Sequence, residues 1–250
     1  MKRKIIPCLD TRDGQLVKGV NFVDIKELGT PVDYAVKYDQ DGADELVLLD
    51  ITKTEAGHAL RLEMIQEVAQ AIAIPLTVGG GIGSLEEIEA TLGAGAAKVS
   101  ISSAALSRPE FINEAVARFG SEKIVVAVDM GLDDGQHYVY SHGGQQKEDR
   151  LALDWVEEVV ERGAGELLIT SVNHDGAKQG FDLPFLSQAK ERVEVPIIAS
   201  GGAGSIEDFV ELFQRTTVES GLAASIFHYG EVAIPELKAR LQAEGIEVND

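Results

Sequence analysis

Only one cysteine, Cys8, occurs in 250 residues, which excludes an intrachain disulfide. No run of 18 apolar residues is present, so no transmembrane helix is expected. The basic start Met1-Lys2-Arg3-Lys4 passes straight into a short apolar strand rather than into the longer stretch of a signal peptide, and a cytoplasmic chain is expected. Basic residues are scarce: 22 Lys and Arg stand against 42 Asp and Glu, and the net charge of -20 speaks against nucleic acid or anionic membrane as partners. It leaves an anionic small molecule open, because backbone amides at helix N-termini bind phosphate whatever the overall charge. The histidines, His58, His137, His142, His174 and His228, lack the paired spacing of a metal site. No Walker loop occurs, and the run Gly79-Gly80-Gly81-Ile82-Gly83 lacks the acidic residue that completes a dinucleotide fingerprint. Neither a metal nor a cofactor is expected, and no linker or low-complexity segment divides the chain.

What is present is a regular alternation. A hydrophobic content of 44% and a charged content of 26% suffice for a substantial core. Short apolar runs near 4–9, 45–50, 74–78, 97–101, 123–128, 166–170, 195–199 and 221–225 read as strands. Several are apolar throughout, as in Ile124-Val125-Val126-Ala127-Val128, the pattern of parallel strands buried on both faces. Helical patterns near 31–41, 59–72, 84–93, 107–119, 151–162, 183–192, 205–214 and 231–243 separate them. Eight such units suggest an α/β fold of the closed (β/α)8 TIM-barrel type, with a doubly wound open sheet as the rival. A repeat decides between them. Pro75 to Ile88 reads PLTVGGGIGSLEEI and Pro196 to Phe209 reads PIIASGGAGSIEDF. Asp13-Gly14-Gln15 recurs as Asp134-Gly135-Gln136, and Asp10 at the end of the first strand is echoed by Asp129 at the end of the fifth. The expectation is one domain over residues 1–250, built from half-barrels of about 1–121 and 122–250.

The repeat also marks the chemistry. Gly79-Gly80-Gly81 and Gly201-Gly202 each follow a strand and precede a helix, where glycine lets backbone N–H groups close on an anion. Ser84 with Glu87 forms a capping box, and Ser205 is the equivalent cap. Two such cradles on opposite halves suggest a substrate with a phosphate at each end. Ser102 and Ser103, Asp175-Gly176, and Ala224-Ser225 follow strands four, six and eight and would complete the cradles. Asp10 and Asp129, at strand ends that open into the barrel mouth, are the candidate general acid and base. Lys18, in the loop after strand one, would neutralise a phosphate or polarise an oxygen. Asp50, Thr170 and Ser200 end strands two, six and seven and are expected to line the same mouth.

These residues resemble a known family. Ile5-Ile6-Pro7-Cys8-Leu9-Asp10, Lys18-Gly19-Val20-Asn21-Phe22, Gly42-Ala43-Asp44-Glu45-Leu46, Leu76-Thr77-Val78-Gly79-Gly80-Gly81-Ile82, Ile198-Ala199-Ser200-Gly201-Gly202-Ala203-Gly204 and Leu222-Ala223-Ala224-Ser225-Ile226-Phe227-His228 are similar to the cyclase subunit of imidazole glycerol phosphate synthase. The resemblance covers nearly the whole chain. It implies an enzyme of histidine biosynthesis that joins ammonia, released by a separate glutaminase subunit, to a bis-phosphorylated ribulosyl-formimino aminoimidazole carboxamide nucleotide. The products are imidazole glycerol phosphate and aminoimidazole carboxamide ribotide. Asp10 and Asp129 match the family's aspartates, and Lys4, Glu45, Lys98 and Glu166 match a charged ring that gates ammonia at the N-terminal barrel face, where the glutaminase docks. The related phosphoribosyl isomerase of the preceding step shares the two aspartates and cradles, but the KGVNF loop and the segment from Thr170 to Asp182 look like the cyclase form.

The chain departs from the family at several positions. Lys4 stands for an arginine of the gate and Ala97 for an aspartate beside Lys98. Ser102 stands for an asparagine near the first phosphate, and His174 and Ala177 for an arginine and a threonine near the second. The segment Ser141–Arg150 is more acidic than its family counterpart. Such changes give an alternative of a different class, a non-catalytic barrel that binds the glutaminase, and a further one, a paralogue that uses ammonia on another phosphorylated sugar.

Overall fold

The apolar runs become strands, and in the computed structural model eight of them close on one another. The structure describes residues 1–20, 23–27, 29–50 and 55–249, those of 18–20, 23–27 and 55–60 by backbone alone. The strands are β1 (Lys4–Arg12), β2 (Gln15–Val20), β3 (Val23–Glu27), β4 (Leu46–Asp50), β5 (Leu76–Gly79), β6 (Lys98–Ile101), β7 (Ile124–Asp133), β8 (Gln136–Ser141), β9 (Gln146–Leu151), β10 (Glu166–Ser171), β11 (Ile197–Ser200) and β12 (Ser220–Ala223). Parallel pairing runs β1-β4-β5-β6-β7-β10-β11-β12 and returns to β1, which removes every edge from the central sheet. This is a (β/α)8 TIM barrel. Helices Pro31–Gln40, Glu55–Ala71, Leu85–Gly93, Glu110–Phe119, Ala152–Glu161, Leu183–Arg192, Ile206–Arg215 and Ile234–Ala243 connect and flank the strands.

Two antiparallel hairpins extend the barrel where the sequence reading placed loops. β1 runs past Asp10 and folds back through β2, which pairs with β3, while β7 runs past Asp129 and folds back through β8 and β9. Lys18 therefore belongs to strand β2, opposite Lys26, instead of to a loop. The turns are repeat-equivalent, with Asp13 and Asp134 left-handed at φ 49° and 47°, each followed by a glycine. The acidic segment Ser141–Arg150 is the tip and return strand of the second hairpin. The helix expected over 107–119 starts only at Glu110, and a separate short helix, Ser103–Ser107, precedes it; Arg108 and Pro109 part the two, because proline has no N–H to continue the first ladder.

Strand alternation sorts the barrel interior into layers. Ile6, Cys8, Val47, Val125, Leu168, Ile198 and Leu222 pack together inside, with Leu49, Ala127 and Ala224 against them. Residues of opposite parity, such as Ile5, Leu9, Leu46, Leu48, Val126, Leu167 and Ile169, belong to the larger core between strands and helices. On the inward parity Lys4, Glu45, Lys98 and Glu166 precede the apolar layer, and Asp10, Asp129, Thr170 and Ser200 follow it. The inside is thus charged at the N-terminal end, apolar in the middle and polar at the C-terminal end.

Candidate functional site

Asp10 and Asp129 occupy equivalent places in the two halves. Asp10 pairs with Leu49 one residue before the last β1–β4 partners, Thr11 and Asp50. Asp129 pairs with Thr170 one residue before the last β7–β10 partners, Met130 and Ser171. Because β1 and β7 continue into hairpins, neither aspartate is a strand terminus, and both are held by regular backbone on either side. Each side chain is half-buried above the apolar layer. Burial lifts the Asp10 carboxyl to about 6, aided by the charge of Asp175 and opposed by the Cys8 thiol, whose Sγ is 3.9 Å from Oδ1. Burial and Asp175 likewise lift Asp129 to about 6. Asp175 thus lies within electrostatic reach of both carboxylates. Its own carboxyl is raised by the surrounding protein and steadied by the Gly176 N–H. Cys8 itself is buried, and burial with the two nearby carboxylates keeps it a thiol.

The two cradles are built alike. In the first, Gly80 has φ 95° and Gly81 φ 67°, and a Cβ on Gly80 would stand 2.1 Å from the Asp50 carbonyl oxygen. In the second, Gly201 has φ 87° and a Cβ there would stand 2.6 Å from the Ser171 carbonyl oxygen. Asp50 and Ser171, like Gly80 and Gly201, are repeat equivalents, so each half presses a glycine onto the same strand-end carbonyl. Gly202, with φ 108°, is tighter still, its Cβ position being 2.0 Å from the Gly180 oxygen. The expected caps are present: Ser84 accepts from Glu87 N and Ser205 from Asp208 N, and both acids reach back to the cap residue's own N–H. Ser102 and Ser103 open the short helix after β6, and Ala224 and Ser225 the short helix after β12.

Two placements differ from the expectation. Asp50 does not face the mouth: it follows the inward-pointing Leu49, turns out toward the helices, is 4% exposed, and has Arg61 Nε 3.6 Å from its Oδ2. Arg61 is a buried guanidinium beside Gly81 whose Nη2 has no hydrogen-bond partner among the described residues. It carries no motif, and only its position on the inner side of a helix could have marked it. The side chain of Lys18 lies outside the described residues, as do Asn21 and Phe22. At the other end, the four gate residues form an open chain instead of a closed ring. Lys4 Nζ is 2.5 Å from Glu45 Oε1, Lys98 Nζ is 2.8 Å from Glu45 Oε2 and 2.6 Å from Glu166 Oε2, and no ion pair joins Lys4 to Glu166 among the described residues. Burial raises both glutamates, but Lys98 and Lys4 together hold Glu45 below its ordinary value. Glu166, with Lys98 in contact and Glu45 repelling it, stays raised.

No group of three or more His, Cys, Asp and Glu side chains suited to a metal occurs among the described residues, and no described helix is long and apolar enough to cross a membrane. The model of a family described as histidine biosynthesis protein matches residues 4–233. Proteins named imidazole glycerol phosphate synthase subunit HisF are similar along the full length. Those of Staphylococcus saprophyticus and Halalkalibacterium halodurans are each 50% identical over 250 residues, covering 99% of both chains. That of Staphylococcus aureus is 49% identical over the same coverage. A match of this extent, on a barrel whose paired aspartates and glycine loops have just been described, is decisive: the chain belongs to the histidine biosynthesis protein family.

Proposed function

We infer that this chain is the cyclase subunit of imidazole glycerol phosphate synthase, a lyase of histidine biosynthesis. The observation that carries the reading is the pair Asp10 and Asp129, equivalent in the two halves, raised to about 6, and flanked by two glycine cradles. A carboxyl poised near the working pH both gives and takes protons, which positioned general acid–base chemistry requires. The substrate is a bis-phosphorylated ribulosyl-formimino aminoimidazole carboxamide nucleotide. One phosphate seats on Gly80 and Gly81 with Ser102 and Ser103, the other on Gly201 and Gly202 with Gly176, Ala224 and Ser225, and Thr170 and Ser200 line the mouth between them. Asp129 assists ammonia addition and the following elimination; Asp10 assists ring closure to imidazole glycerol phosphate and releases aminoimidazole carboxamide ribotide. Lys18 supplies positive charge from the first hairpin.

The partner is a glutaminase subunit docked at the N-terminal barrel face in the cytoplasm. Ammonia enters past Lys4, Glu45, Lys98 and Glu166. The open side between Lys4 and Glu166 supports this route, because fewer contacts have to part there. Beyond it, an apolar layer favours neutral ammonia over ammonium, whose desolvation is costly. The test is turnover of the bis-phosphorylated substrate with ammonium salt and no partner. Product formation is expected, with losses of about 10²-fold or more in Asp10→Asn and Asp129→Asn. Near-normal turnover in both variants overturns the assignment of roles. No turnover by a folded wild-type chain that binds glutaminase favours the non-catalytic subunit instead.

A further inference from the structure

The second cradle carries an imidazole beside its glycines. His174, in the loop after β10, directs its Nδ1 to the Gly180 carbonyl oxygen at 2.8 Å. A carbonyl only accepts, so Nδ1 carries the proton and the opposite nitrogen, Nε2, is a lone pair whenever the imidazole is neutral. The same Gly180 donates its N–H to the Gly202 carbonyl at 2.9 Å, and the His174 Cβ is 3.1 Å from where a Cβ on Gly202 would stand. The ring is therefore fixed beside the glycine that forms the cradle, in one tautomer when neutral, and is only partly buried. A neutral imidazole so held offers a phosphate dianion a lone pair, which repels it; a protonated one offers an N–H and a positive charge.

We propose that His174 is a ligand of the substrate's second phosphate and takes up one proton from solvent as that phosphate seats on Gly201 and Gly202. This rests on the cyclase reading for the identity of the substrate, and on the geometry alone for the anion. The charged and titratable neighbours are otherwise engaged. In the same loop, Lys178 is ion-paired with Glu231 at 2.6 Å from the segment after β12, Asp175 accepts from Gly176, and Asp182 caps Phe185 and meets His137. From the helix that follows the cradle, Asp208 accepts from Gly204 and Ser205, and Glu207 stands beside it in the first turn. From the short helix after β12, His228 engages Tyr38 at 2.5 Å. Among these described neighbours Lys178 is the cation, its charge already neutralised by Glu231, and His174 is the group beside the glycines that can add a positive charge.

The experiment is calorimetric titration of the ammonia-free protein with the bis-phosphorylated substrate, and separately with inorganic phosphate, at pH 7.5 in buffers of different ionisation enthalpy. Proton uptake is expected in the wild type and not in His174→Gln or His174→Arg. With ammonia present, His174→Gln raises KM by about tenfold or more, as the loss of one charge-assisted hydrogen bond implies. Its kcat changes little, and His174→Arg, with a fixed charge, restores KM. Uptake that persists in folded His174→Gln, or a KM within about twofold of wild type, overturns the proposal. Should the wild type bind inorganic phosphate but not the substrate, the cyclase reading falls and the phosphate titrations alone decide the role of His174.

Discussion

Replacing Lys98 with methionine keeps the length of the side chain and removes the one cation that holds both gate glutamates. Its ammonium lies 2.8 Å from Glu45 and 2.6 Å from Glu166. Lys4 remains to hold Glu45, but among the described residues Glu166 is left with no cation in contact and has a like charge nearby. Removing one partner of a buried pair typically costs about 3–5 kcal/mol. An independent ceiling follows from protonation, since Glu166 escapes the penalty by becoming neutral. For a glutamate of ordinary pKa about 4.3, that costs about 1.36 kcal/mol per pH unit, or about 3.7 kcal/mol at pH 7 and about 1 kcal/mol at pH 5. The expected loss in Lys98→Met is therefore about 3–4 kcal/mol at pH 7. A raised folded pKa means that the native state binds the extra proton, so the deficit grows as pH rises and recovers as pH falls toward 5. Equilibrium urea unfolding of wild type and variant at pH 7 and pH 5 reads both numbers, and Lys98→Met with Glu166→Gln should regain most of the loss. A deficit below about 1 kcal/mol at pH 7, or one that does not shrink at pH 5, refutes the reasoning.

Other consequences can be measured in the same way. Asp129→Asn should unfold at higher urea than wild type at pH 8, by about 1–3 kcal/mol after allowing for its partial exposure. Its carboxyl, raised to about 6, weakens the native state as pH climbs through 4 to 6, so the gain should vanish at pH 4. Gly202→Ala should raise KM for the substrate more than tenfold and destabilise the chain by about 1–3 kcal/mol, since a positive-φ residue would drive its Cβ onto the Gly180 oxygen. Gly14→Ala, at φ 77° in open space, is the control and should cost about 1 kcal/mol with no change in KM.

The barrel was legible because buried parallel strands leave continuous apolar runs, and because the glycine loops and capping boxes recur at a fixed spacing. Ser84 and Ser205 could be assigned as caps for the same reason: a side-chain cap is a local arrangement written in four residues. The hairpins were not legible. Gln146-Lys147-Glu148-Asp149-Arg150-Leu151 has no apolar face to alternate, so nothing in it announces a strand; pairing with β8 makes it one. Asp50 was misplaced by a single residue of parity, a distinction that depends on which neighbour faces inward and emerges only when the sheet closes. Arg61 lies in an ordinary helical pattern, and its burial comes from packing against Asp50 and the glycine loop. The missing link between Lys4 and Glu166 is likewise a matter of side-chain reach, which residue types alone do not give.

The layered interior has a consequence for which mutations this chain can survive. Lys4, Ile6, Cys8 and Asp10 share one face of β1 because all four have even numbers, and the same arithmetic joins Glu166, Leu168 and Thr170 in β10. Substitutions within these strands alter one layer at a time. Deleting a single residue between Lys4 and Asp10 would instead put the two on opposite faces of β1, so that keeping either one inside turns the other out of the barrel. Entrance and chemistry are thus coupled by reading frame as well as by space, so evolution can tune either end by exchange but cannot lengthen or shorten what lies between them.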